Sequence, residues 1–150
     1  MMKIALGSDH RGYKRKEEIK KFLVNSGYEV KDFGCFSEDS CDYPDYALPV
    51  AKSVWQGKFD YGILFCATGI GMSITANKIP GIRAALCLNK KMAKFSREHN
   101  NTNMLCIPAD FLDLKKIKEI VKIWLNTEFA GGRHERRVNK ILEIEKENLK

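Results

Sequence analysis

The stretch YGILFCATGIGMSITANK, residues 61–78, contains the change from strand to helix on which the predicted fold depends. Its apolar first part favours a buried strand, which we place from Phe59 to Cys66. A turn of small residues with two glycines follows, and a helix is predicted from Ile70 to Lys78. A cysteine therefore stands where a strand ends and where the N–H groups of a helix start have no backbone partners.

The same alternation of strand and helix continues along the chain. Further strands are predicted at residues 3–8, 29–33, 83–88 and 104–107, with helices between them and a last helix from near Arg133. This order favours a parallel sheet covered on both faces, so we predict an α/β fold with five parallel strands and one domain, residues 1–150. Ligands bind beyond the carboxyl ends of such strands. We therefore expect Asp9 with His10, the turn after Cys66, and the segment around His99 to share one edge.

Composition narrows the class of protein. The 150 residues are 44% hydrophobic and carry a net charge of +7, which suits a solvated basic surface, a nucleic-acid partner or an anionic small substrate. Neither a membrane-length apolar run nor a signal peptide is present, so we expect a cytoplasmic protein without membrane partners. The five cysteines form no CxxC pair, which favours free thiols over a zinc site. Cys87 and Cys106 lie in apolar runs typical of core positions.

Two glycine motifs resemble nucleotide-binding loops but lack required residues. The segment from Gly7 to Gly12 is followed by Tyr13 and Lys14, whereas a phosphate-binding P-loop has lysine directly after its last glycine. The segment from Gly69 to Gly71 lacks the third glycine of a dinucleotide fingerprint. We therefore predict neither a nucleoside triphosphate nor a nicotinamide cofactor.

The turn after Cys66 can bind an anion. Backbone N–H groups of Ala67, Thr68, Gly69, Ile70 and Gly71 can point to one place, with the partial positive charge of a helix start behind them. Such a loop also stabilises an oxygen that becomes negative during a reaction, and the Thr68 hydroxyl adds a donor. The same field would lower the pKa of the Cys66 thiol and give a thiolate near neutral pH. The alternative is an inert core cysteine.

Two other groups of polar residues are candidates for proton transfer and for phosphate binding. His99 and Asn100 end the predicted fourth helix, and a histidine titrates near neutral pH, which suits proton transfer. Arg133 and Arg137 are four residues apart and share a helix face, where two guanidinium groups suit a phosphate. Each feature has a plain alternative, a structural histidine and an exposed basic helix start.

Six motifs in order resemble one family. They are SDHRGY, DYPDYA, CATGIGMSITANK, PGIRAA, SREHNNTN and FAGGRHERRV, and together they cover nearly the whole chain. The chain thus resembles the type B ribose-5-phosphate isomerase family, which includes galactose-6-phosphate isomerase subunits. The resemblance implies a Rossmann-like three-layer α/β/α sandwich with a C-terminal helix. It also implies a homodimer or homotetramer with sites at the subunit interface.

The resemblance implies a reaction and roles for residues. The reaction would convert ribose 5-phosphate to ribulose 5-phosphate through an enediolate, without metal or cofactor. Cys66 would move the proton between two carbons, His99 would open the sugar ring, and Thr68 would assist the anion loop. The implied substrate ligands are Asp9, His10, Ala67, Gly69, Ile70, Gly71, Asn100, Arg133 and Arg137.

Two positions depart from the family's pattern. Ala67 stands where glycine is usual, and a methyl group there would be strained if the backbone had a positive φ angle. Asp110 stands where the family commonly has an arginine, and a carboxylate would repel phosphate unless it turns away or pairs with an arginine. Two alternatives therefore remain: an isomerase for a six-carbon sugar phosphate, allose or galactose 6-phosphate, and a non-catalytic paired subunit that binds sugar phosphate. Nucleic acid is not an expected partner, because no basic and aromatic platform is present.

Overall fold

The computed structural model describes all 150 residues. Five strands alternate with six helices along the chain, and no helix is long and apolar enough to cross a membrane. The elements are β1 (Lys3–Ser8), α1 (Tyr13–Asn25), β2 (Glu29–Asp32), α2 (Pro44–Trp55), β3 (Tyr61–Cys66), α3 (Ile70–Ala76), β4 (Ala84–Leu86), α4 (Lys90–Asn100), β5 (Met104–Pro108), α5 (Leu114–Leu125) and α6 (Arg133–Asn148).

The strands form one parallel sheet in the order β2-β1-β3-β5-β4. The central strand β3 pairs with β1 from Ile4 opposite Tyr61, and with β5 up to Cys66 opposite Pro108. Its last five residues are all buried, as expected for a strand covered on both faces. The predicted five-stranded parallel sheet is confirmed.

Two apolar cores lie on opposite faces of the sheet. One face packs against α1, α4 and α5, whose buried side chains include Ile19, Ala93 and Trp124. The other face packs against α2 and α3, with Val50 and Met72 among its buried side chains. The alternating strand side chains thus divide between two cores, which produces the predicted three-layer sandwich. Cys106 lies in the second core and Cys87 in the first, both buried as predicted.

Strand β4 is shorter than the predicted span of residues 83–88. The backbone N–H of Arg83 donates to the side chain of Asn103, and the Arg83 guanidinium donates to the carbonyl of Asn101. These bonds hold Arg83 against the loop that leads into β5. The regular pairing of β4 with β5 therefore begins only at Ala84.

A buried arginine fixes the end of α4. Arg97 is only 6% exposed, and its guanidinium donates to the carbonyls of Thr102 and Thr127 and to the hydroxyl of Tyr61. These contacts join the last turn of α4 to β3, to the loop before β5 and to the segment before α6. The position of neighbouring His99 is therefore set by a charged group held inside the core.

A charged network supports the loop after β2. The Asp32 carboxylate accepts hydrogen bonds from the fully buried Lys16 at 2.6 Å, from Lys20 at 3.0 Å and from the backbone N–H of Gly34 at 2.8 Å. The Gly34 carbonyl in turn accepts from the N–H of Ser8 at the end of β1. Burial alone would raise the pKa of Asp32, but the hydrogen bonds outweigh it and the pKa is lowered.

We expect the substitution Asp32→Asn to destabilise the protein by about 3 kcal/mol at pH 7, because it leaves the buried Lys16 ammonium without its main partner. A lowered carboxyl pKa gives stability that is present above the unfolded-state value, near 3.9, and lost as the pH falls below it. The difference in unfolding free energy between the two proteins should therefore shrink below about pH 4. Urea titrations at several pH values measure it. Glu29→Gln, at an exposed ion pair with Lys3, is the control and should change stability little.

Candidate active site

Cys66 ends β3 and its sulfur faces the loop that leads into α3. The backbone N–H of Gly69 donates to the Cys66 sulfur at 3.1 Å, and the thiol side chain belongs to the core beneath α2 and α3. The residue is 5% exposed. The sulfur is thus buried on one side and in contact with the predicted anion loop on the other.

The thiol is not activated in the way the sequence suggested. Burial raises the pKa of the Cys66 thiol, and the nearby Asp9 carboxylate also raises it, while the N–H groups of Met72, Gly69 and Thr68 lower it by less. The expectation of a thiolate near neutral pH is therefore wrong for this chain. The helix-start field is present, but the cost of placing a charge in the core is larger.

The loop from Ala67 to Gly71 is held by backbone geometry. Gly69 has a φ of 75°, and an added Cβ would lie 2.5 Å from the Leu86 side chain, so only glycine fits there. The carbonyls of Cys66 and Ala67 accept hydrogen bonds from the N–H groups of Ala109 and Asp110. Ala67 is not among the residues with positive φ, so its methyl group causes no backbone strain.

A cleft of about 390 Å³ opens beside the thiol. Its lining combines the anion loop with apolar side chains: Asp9, Tyr43, Cys66, Ala67, Thr68, Ile70, Gly71 and Ile74. Sequence reasoning missed Tyr43, whose ring packs so closely against Gly71 that an added Cβ there would lie 2.4 Å from it. Its place directly before Pro44, where α2 starts at the carboxyl edge of the sheet, is the signal that could have found it.

Asp9 and His10 follow β1 at the same edge as Cys66. The buried Asp9 carboxylate accepts from the N–H of Gly12 at 2.9 Å, which fixes the turn into α1. His10 Nδ1 accepts from the N–H of Cys41 at 3.3 Å, so a neutral His10 carries its proton on Nε2. Asp9 lines the cleft together with the Cys66 loop, whereas His10 contacts Cys41.

The carboxylate at position 110 is paired. Asp110 accepts a hydrogen bond from the Arg11 guanidinium at 2.7 Å, and both side chains are partly exposed. Arg11 follows β1 and Asp110 follows β5, so the ion pair connects the two strand ends that flank the end of β3. The carboxylate is therefore not free, and the Arg11 guanidinium offsets part of the repulsion that Asp110 would exert on a nearby anion.

His99 does not lie at the same edge as Cys66, and that expectation is wrong for a single chain. Helix α4 returns antiparallel to the strands, so its end with His99 and Asn100 leads into Met104 at the start of β5. Met104 pairs with Gly62 at the start of β3, four residues before Cys66. The two edges are therefore separated by about 13 Å along the strands, too far for an imidazole to reach the thiol.

The remaining predicted residues gather around His99. Its ring stacks on Phe95 at 4.9 Å between centroids and on His134 of α6 at 4.2 Å. Arg133 and Arg137 flank His134 on the exposed first turns of α6. We call the group of His99, Asn100, Arg133, His134 and Arg137 the His99 cluster. The structure thus divides the predicted site residues into a group around Cys66 and a group in the His99 cluster, where His134 is a member that the sequence did not predict.

No three His, Cys, Asp or Glu side chains lie close enough together to hold a metal ion. All five cysteines are free thiols. The lining of the Cys66 cleft offers a thiol, backbone N–H donors, a carboxylate and hydroxyl groups. Such a set can move a proton and stabilise a developing oxyanion.

Fold and cleft together suit an α/β enzyme with a small anion-forming substrate, because such folds bind ligands at the carboxyl edge of the sheet, where this cleft lies. The family described as Ribose/Galactose Isomerase matches residues 4–141, and the chain belongs to this family. Ribose-5-phosphate isomerase B of Escherichia coli (strain K12) is 48% identical over 145 residues, which cover 97% of each chain.

Solved structures agree with this chain over nearly its whole length. Ribose-5-phosphate isomerase B of Clostridium thermocellum is 54% identical, with a TM-score of 0.97 over 98% of this chain and 99% of that one. The enzyme of the same name from Mycoplasma genitalium, solved with bound ribulose-5-phosphate, is 39% identical, with a TM-score of 0.94 over 97% of each chain. The α/β architecture and the similarity to sugar-phosphate isomerases are thereby shown.

We expect alkylation of Cys66 by iodoacetamide to accelerate with pH through a midpoint above 8.5, the ordinary value for cysteine, because the raised pKa keeps the thiol protonated at neutral pH. Mass spectrometry of the peptide that contains residue 66 measures the rate. Cys66→Ser is the control for reaction at other thiols. A midpoint near or below 7 would contradict the dominance of burial at this site.

Proposed function

We propose that this chain interconverts ribose 5-phosphate and ribulose 5-phosphate, with each site built from two copies of the chain. The observation that carries the proposal is the Cys66 thiol in hydrogen-bond contact with the Gly69 N–H at the mouth of the cleft. Isomerisation through an enediolate needs a base beside a carbonyl and donors for the oxygen that becomes negative. Both are supplied within a few ångströms of each other at this point.

The reaction begins with opening of the sugar ring. His99 takes the proton of the anomeric hydroxyl as the bond between C1 and the ring oxygen breaks, and then gives that proton to the ring oxygen. The Cys66 thiol, which is protonated at rest, first releases its proton to solvent through the cleft. The thiolate then removes the proton on C2, and the electron pair moves through the C1 carbonyl to its oxygen. The N–H groups of the loop from Ala67 to Gly71 stabilise the resulting enediolate, and in the empty protein those of Gly69 and Ile70 donate to the Cys66 sulfur and the Thr68 hydroxyl. Return of the proton to C1 and transfer of the hydroxyl proton give the ketose.

A second copy of the chain can supply the residue that a single chain holds too far from the Cys66 thiol. Cys66 and His99 lie at opposite edges of their own sheet, so a site that uses both takes them from two chains. Exposed apolar side chains beside the cleft, Ile70 and Ile74 at 52% and 58%, provide a surface that a second copy would cover. The proposed assembly is a homodimer, or a homotetramer built from it.

A complementation test separates the shared site from a site within one chain. Cys66→Ala and His99→Ala should each lower kcat by 10²-fold or more, on the order expected for loss of a proton-transfer group. When the two inactive variants are refolded together, half of the dimers are mixed and each mixed dimer has one of its two sites intact. We expect about one quarter of the wild-type rate to return. If no activity returns although mixed dimers are present, the shared site is wrong.

Assays with a panel of sugar phosphates test which sugar length the enzyme prefers and whether it requires the phosphate. We expect ribose 5-phosphate to give the highest kcat/KM among five- and six-carbon aldose phosphates, with allose and galactose 6-phosphates as the competing candidates. Unphosphorylated ribose should be poorer by roughly 100-fold, because two charged hydrogen bonds to phosphate are lost. Arg137→Ala should reduce that ratio by raising KM for the phosphate alone. Tight binding of ribose 5-phosphate without turnover would instead favour the non-catalytic subunit.

A further inference from the structure

Three aromatic rings form a continuous stack beside the start of α6. Phe95 and His99 lie one turn apart on α4 with ring planes 9° apart, and the His134 ring covers the other face of His99 at 12°. The His99 ring is thus held between two flat partners from two helices. A stack of this kind fixes the plane of an imidazole without using either of its nitrogen atoms.

The charges that face His134 come from both helices. His99 and Glu98 face it from α4, and Arg133 and Arg137 face it from its own helix. Partial burial, His99 and the two arginines lower the pKa of His134, and Glu98 opposes them. In the empty protein, the imidazole of His134 is therefore harder to protonate than an ordinary histidine. The two arginines carry their charge at all relevant pH values.

We propose that His134 is a positioning residue for His99, and that it links anion binding at Arg133 and Arg137 to the stacked pair by taking up a proton when an anion is bound. The neutral ring holds the plane of His99 while the site is empty. A dianionic phosphate between the two guanidinium groups offsets their repulsion of a third positive charge, so His134 is more readily protonated. The role in turnover rests on the proposed function, whereas the proton linkage does not.

The linkage has a defined sign. Because anion binding raises the pKa of His134, the complex binds more protons than the empty protein between the two pKa values. Anion affinity therefore increases as the pH falls through that window and is constant above it. Sulfate is the suitable probe, since it keeps its charge through this range whereas inorganic phosphate does not.

Nuclear magnetic resonance of the full chain with labelled histidine tests the linkage directly. The chain has only three histidines, so single substitutions assign every imidazole signal. Saturating sulfate should shift the His134 titration to higher pH, and Arg137→Ala should do so without sulfate. Arg136→Ala is the matched control, an exposed arginine that does not contribute to the His134 shift. An unchanged His134 titration in sulfate, with sulfate bound, would overturn the linkage.

Two variants separate stacking from titration. His134→Phe keeps a flat ring on His99 and should retain kcat within about threefold, while sulfate affinity loses its pH dependence. His134→Ala removes the ring, and kcat should fall about tenfold or more with KM little changed at pH 8, because His99 loses its fixed orientation. Equal kcat values for both variants would overturn the positioning role. A wild-type protein without isomerase activity would contradict the proposed function, while the sulfate titration would still test the linkage.

Discussion

In a parallel sheet, the helix that connects two strands runs antiparallel to them. Strands therefore end at one edge of the sheet, and the connecting helices end at the opposite edge. Cys66 ends a strand and His99 ends a helix. No local rearrangement can bring them together, because four residue pairs of the β3–β5 ladder lie between their levels. The direction of the parallel sheet therefore makes a single chain an incomplete catalyst in the proposed reaction, and a symmetric pair of chains is the simplest way to complete it.

The surroundings of Cys66 have opposing effects on the ionisation of its thiol. A base needs an ionised form, yet the sulfur lies in a core that disfavours charge, and only backbone N–H groups oppose that cost. The donors are held before any substrate arrives, since Gly69 adopts a conformation reserved for glycine and the loop carbonyls are tied to the segment after β5. A protonated resting thiol in a preorganised loop is protected from oxidation, which acts on the thiolate.

Much of the fold was predictable because periodicity reports burial directly. The β3 run, the α5 stripe and the glycine turn after Cys66 each carry a local signal, and the structure confirms the elements they predict. The edge predicted for His99 was wrong, because a helix between two parallel strands ends where the next strand begins, at the edge opposite the strand ends. The predicted lowering of the Cys66 pKa was also wrong, because the sequence shows that a helix starts nearby but not how deeply the thiol is buried. Tyr43 was missed as a residue of the cleft because it reaches the cleft through a contact with Gly71, and periodic patterns do not show contacts between distant segments.

Charge is distributed unequally between the two groups of site residues. At the Cys66 edge, Arg11 is paired with Asp110 and the Asp9 carboxylate lines the cleft, so little free positive charge remains there. The His99 cluster carries two exposed arginines without carboxylate partners within ion-pair distance. In the proposed assembly, the phosphate therefore lies at the cluster of one chain and the carbonyl end at the loop of the other. Sugar length is then selected by the spacing across the interface, so residues that set subunit packing also set the preference between five- and six-carbon substrates.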